Sequence, residues 1–233
     1  WVSDSASAVA AHGDINTWDV SLITDMSDLF KQKTTFNDDI SNWDVSNVIN
    51  MSEMFESADA FNINISAWDV SSVTDMYAMF HGANSFNGDI STWDVSSVTD
   101  MSYFFRYASN FNQDLSNWDV SSVTNMTRMF VDAASFNGDV STWDVSSVTD
   151  MTDMFEGAEA LSDANKCFIH GSFQSNDAWP YDWSDLCELA GYTYVPDDNF
   201  EQALIDLGYD DTLDNYVVTD SISGVTSLVI SNF

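Results

Sequence analysis

Residues 86–105 read FNGDISTWDVSSVTDMSYFF, and Ala108 follows this run. The pattern occurs six times, and its tryptophans are each 25 residues apart: Trp18, Trp43, Trp68, Trp93, Trp118 and Trp143. A fixed period of this length is typical of repeat proteins, in which each unit buries its apolar side against its neighbours. The sequence therefore predicts a solenoid of stacked coils.

Two apolar periods alternate within each repeat. Val98, Met101 and Phe105 lie three or four residues apart, as on one side of a short helix, whereas Trp93 and Val95 alternate with polar residues, as in a short strand. We therefore predict an α/β repeat solenoid. It has about six 25-residue coils of turn, strand, turn and short helix, with a narrow parallel sheet on one side and the helices on the other.

Large apolar side chains also recur at fixed positions of the repeat. Three columns accompany the tryptophans: Phe36, Phe61, Phe86, Phe111, Phe136 and Leu161; Phe30, Phe55, Phe80, Phe105, Phe130 and Phe155; and Met26, Met51, Met76, Met101, Met126 and Met151. A position filled alike in every coil favours packing in a core. The alternative for the aromatic columns is an exposed platform for sugars or bases.

The repeat does not cover the whole chain. We predict an N-terminal cap at residues 1–13, where small side chains replace bulky ones, the repeats at 14–161, and a C-terminal cap at 162–191. Cys167 and Cys187, the two cysteines of the chain, favour a disulfide that closes this cap in an oxidising compartment; two free buried thiols are the alternative. Residues 192–233 read as the truncated start of a second domain, with a helix from Asp198 to Gly208 and strands at 217–218 and 225–230. We read both ends as cuts within a longer protein.

Acidic residues dominate the charge. The chain has 38 Asp and Glu against 5 Lys and Arg, a formal net charge of −33. Because affinity for nucleic acids comes largely from Lys and Arg that neutralise phosphates, we expect no nucleic-acid partner. No run of 18 apolar residues occurs, so we expect no direct membrane insertion of this segment.

Aspartates form two columns that are the candidate polar sites. The first aspartate column is Asp19, Asp44, Asp69, Asp94, Asp119 and Asp144; the second is Asp14, Asp39, Asp89, Asp114 and Asp139, interrupted by Asn64. Like charges on adjacent coils repel, so each column needs a compensating interaction. Either each carboxylate accepts backbone N–H groups in its own turn, or Ca²⁺ bridges neighbouring coils. Ca²⁺ is the one cofactor that we consider. Residues 210–215 are a weaker calcium candidate.

Threonine recurs at one further position, as Thr24, Thr74, Thr99, Thr124 and Thr149, with Ile49 in the second repeat. Hydroxyl groups at this position could cap the predicted helices, and a regular threonine row could instead bind ice.

The sequence shows no catalytic motif. The histidines His12, His81 and His170 lie at unrelated repeat positions, and acid pairs recur in almost every repeat, whereas an active site is normally singular. We therefore predict that the chain is not an enzyme.

The repeats at 86–105 and 136–155 follow the pattern FNxDISxWDVSxVTDMxxMF except at Phe104 and Val140. They resemble those of BspA-type bacterial surface proteins, the bacterial surface protein 26-residue repeat family. The resemblance covers about residues 12–161. The cysteine segment is similar to one that follows such repeats, and Tyr194–Phe200 with Ile222–Leu228 resembles the opening of leucine-rich-repeat domains in large secreted proteins of marine Bacteroidetes-like bacteria.

This resemblance implies a leucine-rich-repeat-like solenoid in a secreted protein that is displayed at a bacterial cell surface. We expect a module that acts in adhesion or as a scaffold or spacer, through contacts with surface or matrix proteins, glycans or copies of itself. The alternatives are a calcium-stiffened structural rod and, more remotely, an ice-binding solenoid. The family supplies no catalytic residues.

Overall fold

The computed structural model describes residues 5–189, 191–195, 198–210, 216–223 and 225. Helix α1 (Ser5–His12) precedes the repeats, and one 3₁₀ turn (Ile15–Thr17) lies at the start of the first repeat; from Trp18 to Leu161 no residue belongs to a helix or a named strand. The regular elements after the repeats are α2 (Asp163–Phe173), α3 (Ser184–Leu189), β1 (Tyr192–Tyr194), α4 (Asp198–Asp206), β2 (Tyr216–Val218) and α5 (Thr219–Ile222). We number the repeats as coils 1 to 6, beginning at residues 14, 39, 64, 89, 114 and 139.

The predicted α/β repeat solenoid is wrong. Among the described residues the only sheet is the antiparallel pair β1–β2, in which Tyr192 lies opposite Val218. Adjacent coils share single parallel bridges instead of strands: Asp25 with Asn50, Asn50 with Asp75, Asp75 with Asp100, Asp100 with Asn125, and Asn125 with Asp150. The repeats do stack, but they stack as irregular backbone.

The predicted short helices are absent because the backbone N–H groups after each methionine bond alternately between and within coils. The N–H of Asp28 donates to the Ser52 carbonyl of coil 2 at 3.0 Å, whereas the N–H of Leu29 donates to the Met26 carbonyl three residues back at 3.3 Å. An α-helix needs every N–H for the carbonyl four residues back. Two positions of this segment also have positive φ in all six coils: Asp28, Glu53, Ala78, Tyr103, Arg128 and Asp153, and Gln32, Ser57, Gly82, Tyr107, Asp132 and Gly157.

The predicted strand around each tryptophan fails for another reason. Asp94 accepts the N–H of Ser96 at 3.1 Å, and the N–H of Val98 donates to the Val95 carbonyl at 2.9 Å. Both bonds close tight turns where a strand would need the chain to stay extended. The alternation of buried and exposed side chains in this stretch therefore comes from successive turns.

The core of the stack is a set of aromatic columns. Phe80 lies 5.5 Å from Phe55 and 5.9 Å from Phe105, ring centroid to ring centroid, with nearly parallel planes, and within coil 3 it stacks on Phe86 at 4.0 Å. The indole N–H of Trp93 donates to the Ile65 carbonyl of the preceding coil at 3.2 Å, and the tryptophans of coils 2 to 6 all bond in this way. Burial and hydrogen bonding therefore repeat with the sequence.

Aromatic residues close the C-terminal end of the stack. Phe155 of coil 6 contacts Trp179, Tyr181 and Trp183, with ring centroids 5.8–6.4 Å apart. The Cys167–Cys187 disulfide predicted from the sequence is present and links α2 to α3. The helix predicted from Asp198 is α4 and the strand at 217–218 belongs to β2, whereas the strand predicted at 225–230 lies outside the described residues except for Val225.

Candidate functional site

The first aspartate column is exposed, and each of its members serves its own turn. The carboxylate of Asp69 accepts the Ser71 N–H at 3.1 Å and the Ser71 hydroxyl at 2.6 Å. The same N–H bond, two residues on, is made by Asp19, Asp44, Asp94, Asp119 and Asp144. The serine hydroxyl and N–H lower the pKa of Asp69 because they stabilise its charged form.

The second aspartate column makes equivalent bonds. Asp89 accepts the N–H of Ser91 at 3.0 Å, and the same bond is made by Asp14, Asp39, Asp114 and Asp139, as well as by the interrupting Asn64. Because an amide oxygen replaces the carboxylate in coil 3 with the same geometry, the turn needs an acceptor and not a charge. Turn formation is thus a sufficient structural role for both columns.

Repulsion between coils is visible in the first aspartate column. The charges of Asp19 and Asp69 both act to raise the pKa of Asp44, although its bonds to Ser46 outweigh them and the net shift is downward. Within the described residues, no group of three or more Asp, Glu, His or Cys is arranged to hold a metal ion. The calcium hypothesis for the two columns stays a prediction, and residues 211–215 of the weaker candidate lie outside the described part.

Sequence reasoning missed a polar ladder of asparagines that joins the coils. The side-chain oxygen of Asn87 accepts the N–H of Asn112 in the next coil at 2.9 Å. Corresponding bonds run from Asn62 to Asn37, Asn87 to Asn62, Asn137 to Asn112 and Ser162 to Asn137. The signal was available, since asparagine follows the phenylalanine in each of these repeats.

The tryptophan column is core and not an exposed platform. The rings from Trp43 to Trp143 are 3–5% exposed, and only Trp18 in coil 1 is partly exposed. Burial to this degree leaves no ring face for a ligand. The aromatic columns therefore explain stability, and a ligand must be sought on other side chains.

A regular hydroxyl surface runs along the coils on either side of a buried valine. In coil 4, Ser97 and Thr99 are exposed while Val98 between them is fully buried. The Thr99 hydroxyl donates to the Thr74 carbonyl of the preceding coil at 3.1 Å, and Thr124 and Thr149 repeat this bond. These bonds fix the threonine side chains, so the threonine column presents ordered, uncharged hydroxyl groups along coils 4 to 6.

A second surface, on coils 3 and 4, differs from its counterparts on the other coils. We call it the tyrosine–arginine shelf; it consists of Tyr77, His81, Tyr103, Arg106 and Tyr107. The Tyr77 and Tyr103 ring centroids are 5.6 Å apart, and those of His81 and Tyr107 are 5.5 Å apart. Burial lowers the pKa of His81.

Arg106 lies across both tyrosines of coil 4. Its guanidinium carbon is 4.4 Å from the Tyr107 ring centroid and 5.5 Å from that of Tyr103, and its Nη2 donates to the Tyr107 hydroxyl at 2.7 Å. The other coils carry Ser, Thr, Ala, Gln, Gly or charged residues at the tyrosine positions. This departure from the repeat is the sequence signal for the shelf, which a search for repeated residues overlooks.

The C-terminal cap contains a buried histidine and borders a polar cavity. Nδ1 of His170 accepts the Trp179 indole N–H at 3.1 Å, and burial lowers the pKa of His170 while Asp182 opposes that effect. A cavity of about 420 Å³ between coil 6 and this cap is lined by residues that include Asp144, Asn176 and Asp177. The Asn176 amide ties the cap to coil 6, since it donates to two carbonyls there at 2.7 and 2.9 Å.

Among the described residues, no helix has the length and apolar character that a membrane span requires.

A family model described as "Mycoplasma protein of unknown function, DUF285" matches residues 3–96 and residues 63–168, which together are more than half of the chain. No curated protein matches the chain. The resemblance to BspA-type surface proteins therefore stays a prediction.

Proposed function

This chain belongs to the DUF285 family, whose function is unknown, and from that premise we propose that it is a non-enzymatic module of a bacterial cell surface. It acts in adhesion, or as a scaffold or spacer, through contacts with proteins or glycans. The observation that carries the proposal is the continuous core. Stacked rings, tryptophan hydrogen bonds and backbone hydrogen bonds join each coil to the next. These contacts favour a rigid scaffold with regular surfaces.

The disulfide supports a location outside the cytoplasm. Cys167 and Cys187 are the two cysteines of the chain, and they pair with each other across a sequence separation of 20 residues. Disulfides persist in oxidising compartments and are rare in reducing ones. The disulfide is compatible with an extracellular location, which labelling of intact cells tests directly.

The use of the polar residues supports a role without catalysis. The carboxylates that recur in the repeats accept hydrogen bonds from their own turns, so they have the same structural role in coil after coil. A catalytic site requires residues that depart from such a pattern and converge on one point. The shelf departs from the pattern, and its side chains are suited to binding.

An adhesion assay tests this proposal. Beads coated with the purified chain are presented to surfaces that carry extracellular-matrix proteins, mixed glycans or the chain itself, and detachment is measured under flow. Beads coated with the reduced, heat-unfolded chain are the control. Selective retention of the folded chain on at least one surface supports adhesion, and equal detachment from all surfaces contradicts it and leaves only a spacer role.

Ice binding is the second candidate, because the hydroxyl surface provides one specific observation in its favour. Ser97 and Thr99 flank buried Val98, and the equivalents in coils 3, 5 and 6 repeat this exposed serine and threonine pair. Ice-recrystallisation inhibition by the chain, abolished in Thr99→Lys, would support this function. Crystal growth equal to that in an albumin control would contradict it.

A further inference from the structure

We propose that the tyrosine–arginine shelf binds an uncharged polysaccharide, a ligand class that deepens the proposed function and rests on it. The rings would stack on the apolar faces of successive sugar units. Arg106 would donate hydrogen bonds to hydroxyl or ring oxygens of the sugar.

At the tyrosine–arginine shelf, aromatic side chains reach the surface of the coils. The phenylalanines and tryptophans of coils 2 to 6 are at most 5% exposed, whereas Tyr107 is 39% exposed and Tyr77 and Tyr103 are half-buried. Arg106 spans two of the rings and bonds to the Tyr107 hydroxyl, so the rings are held in place before any ligand arrives. Fixed aromatic side chains bind at a low cost in conformational entropy.

The two tyrosines of coil 4 occupy backbone positions that are unfavourable for large side chains. Tyr103 and Tyr107 have φ of 61° and 60°, a region that bulky residues seldom adopt. The equivalent positions hold Ala78 and Gly82 in coil 3, so the coil folds with smaller residues there. Positive φ at these positions is common to all six coils, so what distinguishes coil 4 is the two large rings, which packing of the core does not explain.

Charge favours a neutral ligand. Two other cations along these turns pair with acids: Lys31 with Glu53 and Glu56, and Arg128 with Asp153 at 2.9 Å. In the described part of the chain Arg106 makes no ion pair, but its single positive charge is small against the chain's formal net charge of −33. Such a surface repels polyanions, and the donors of Arg106 are better matched by neutral oxygen acceptors.

The backbone hydrogen bonds of the shelf favour a glycan over an extended peptide as the ligand. A peptide that adds to an edge needs free backbone groups. Within the shelf, the N–H groups of Tyr103 and Tyr107 donate to coil 5 at 2.8 Å, and the Arg106 carbonyl accepts the Gly82 N–H at 2.7 Å. The backbone is thus committed to the stack, and the side chains remain as the binding groups. Rings on two adjacent coils, with centroids 5.5–5.6 Å apart, suit a ligand with its own short repeat.

Affinity electrophoresis tests the proposal with defined probes. The folded chain is run in native gels that contain dextran, mannan or soluble β-glucan as uncharged polysaccharides, and alginate or heparin as polyanions. We expect retardation by at least one uncharged polysaccharide. Retardation by none of them, or by the polyanions alone, overturns the proposal, while the bead assay on protein surfaces still judges the broader adhesion function.

The variants come from the repeats themselves. Tyr103→Ala and Tyr107→Ser install the residues that coils 3 and 2 carry at these positions, and we expect the double variant to bind at least about tenfold more weakly. Tyr107→Phe keeps the ring and should retain most of the binding, and Asp132→Ser changes the same position in coil 5 as a matched control. Unchanged binding in the double variant, with its thermal unfolding intact, would refute the assignment of the site. Thermal melts of all variants establish that they fold.

Discussion

Replacement of one core tryptophan tests how the coils are held together. Trp93→Phe keeps an aromatic ring in coil 4 but removes the indole N–H, which donates to the Ile65 carbonyl at 3.2 Å. Trp93 is 4% exposed and Ile65 is fully buried, so water cannot replace the lost donor. The Ile65 carbonyl still accepts the Trp68 N–H at 3.1 Å, so loss of the indole bond costs only about 0.5–1.5 kcal/mol; the smaller ring also leaves a cavity, and we expect a total loss of about 1.5–3 kcal/mol.

Urea unfolding followed by circular dichroism measures this loss, provided that the slope against urea is unchanged. Trp18→Phe is the matched control. Trp18 is partly exposed, and its indole donates to the His12 carbonyl at 3.2 Å at the solvent-accessible end of the stack, so we expect a loss below about 1 kcal/mol. Equal losses in the two variants would refute the reasoning that burial between coils makes this bond important.

Four further predictions follow from named contacts. Reduction of Cys167–Cys187 should lower the free energy of unfolding by about 3 kcal/mol, because it frees a loop of this length; an unchanged melt in reductant would contradict this. Burial lowers the pKa of His170 below its unfolded value of about 6.5, so stability should fall as pH drops below that value, and His170→Gln should flatten the pH dependence of the melt between 7.5 and 5. Gly82 has φ of 67°, so Gly82→Val should cost about 1–2 kcal/mol in urea unfolding and Gly82→Asn clearly less, whereas equal costs would exclude backbone strain as the cause. If the aspartate columns serve only their turns, millimolar Ca²⁺ will leave the melt in EDTA unchanged, and a rise of many degrees with Ca²⁺ but not Mg²⁺ would instead support the calcium-stiffened rod.

The sequence predicted the stacking but not the backbone that achieves it. The 25-residue period identified the columns, and their burial follows from it, as Phe80 between Phe55 and Phe105 illustrates. The same spacing of three and four residues that suggested a helix arises here from successive turns with positive φ. Side-chain periodicity alone cannot distinguish these, because it does not report where each backbone N–H bonds.

The polar surfaces were predicted unevenly for a related reason. Repetition drew attention to the aspartate columns, and the structure gives them a local role that an Asp-x-Ser spacing already suggests, as at Asp69 and Ser71. The tyrosine–arginine shelf depends on contacts between residues of two coils and on departures from the repeat. Its geometry became evident only when Arg106 was seen across the rings of Tyr103 and Tyr107.

Labelling of intact source cells tests the central claim most directly. A membrane-impermeant amine-reactive biotin is applied before lysis, and the native protein is then recovered and treated with a thiol-alkylating reagent with and without prior reduction. A cell-surface module predicts labelling before lysis and alkylation of Cys167 and Cys187 only after reduction. Labelling that occurs only after lysis, together with free thiols, would contradict it.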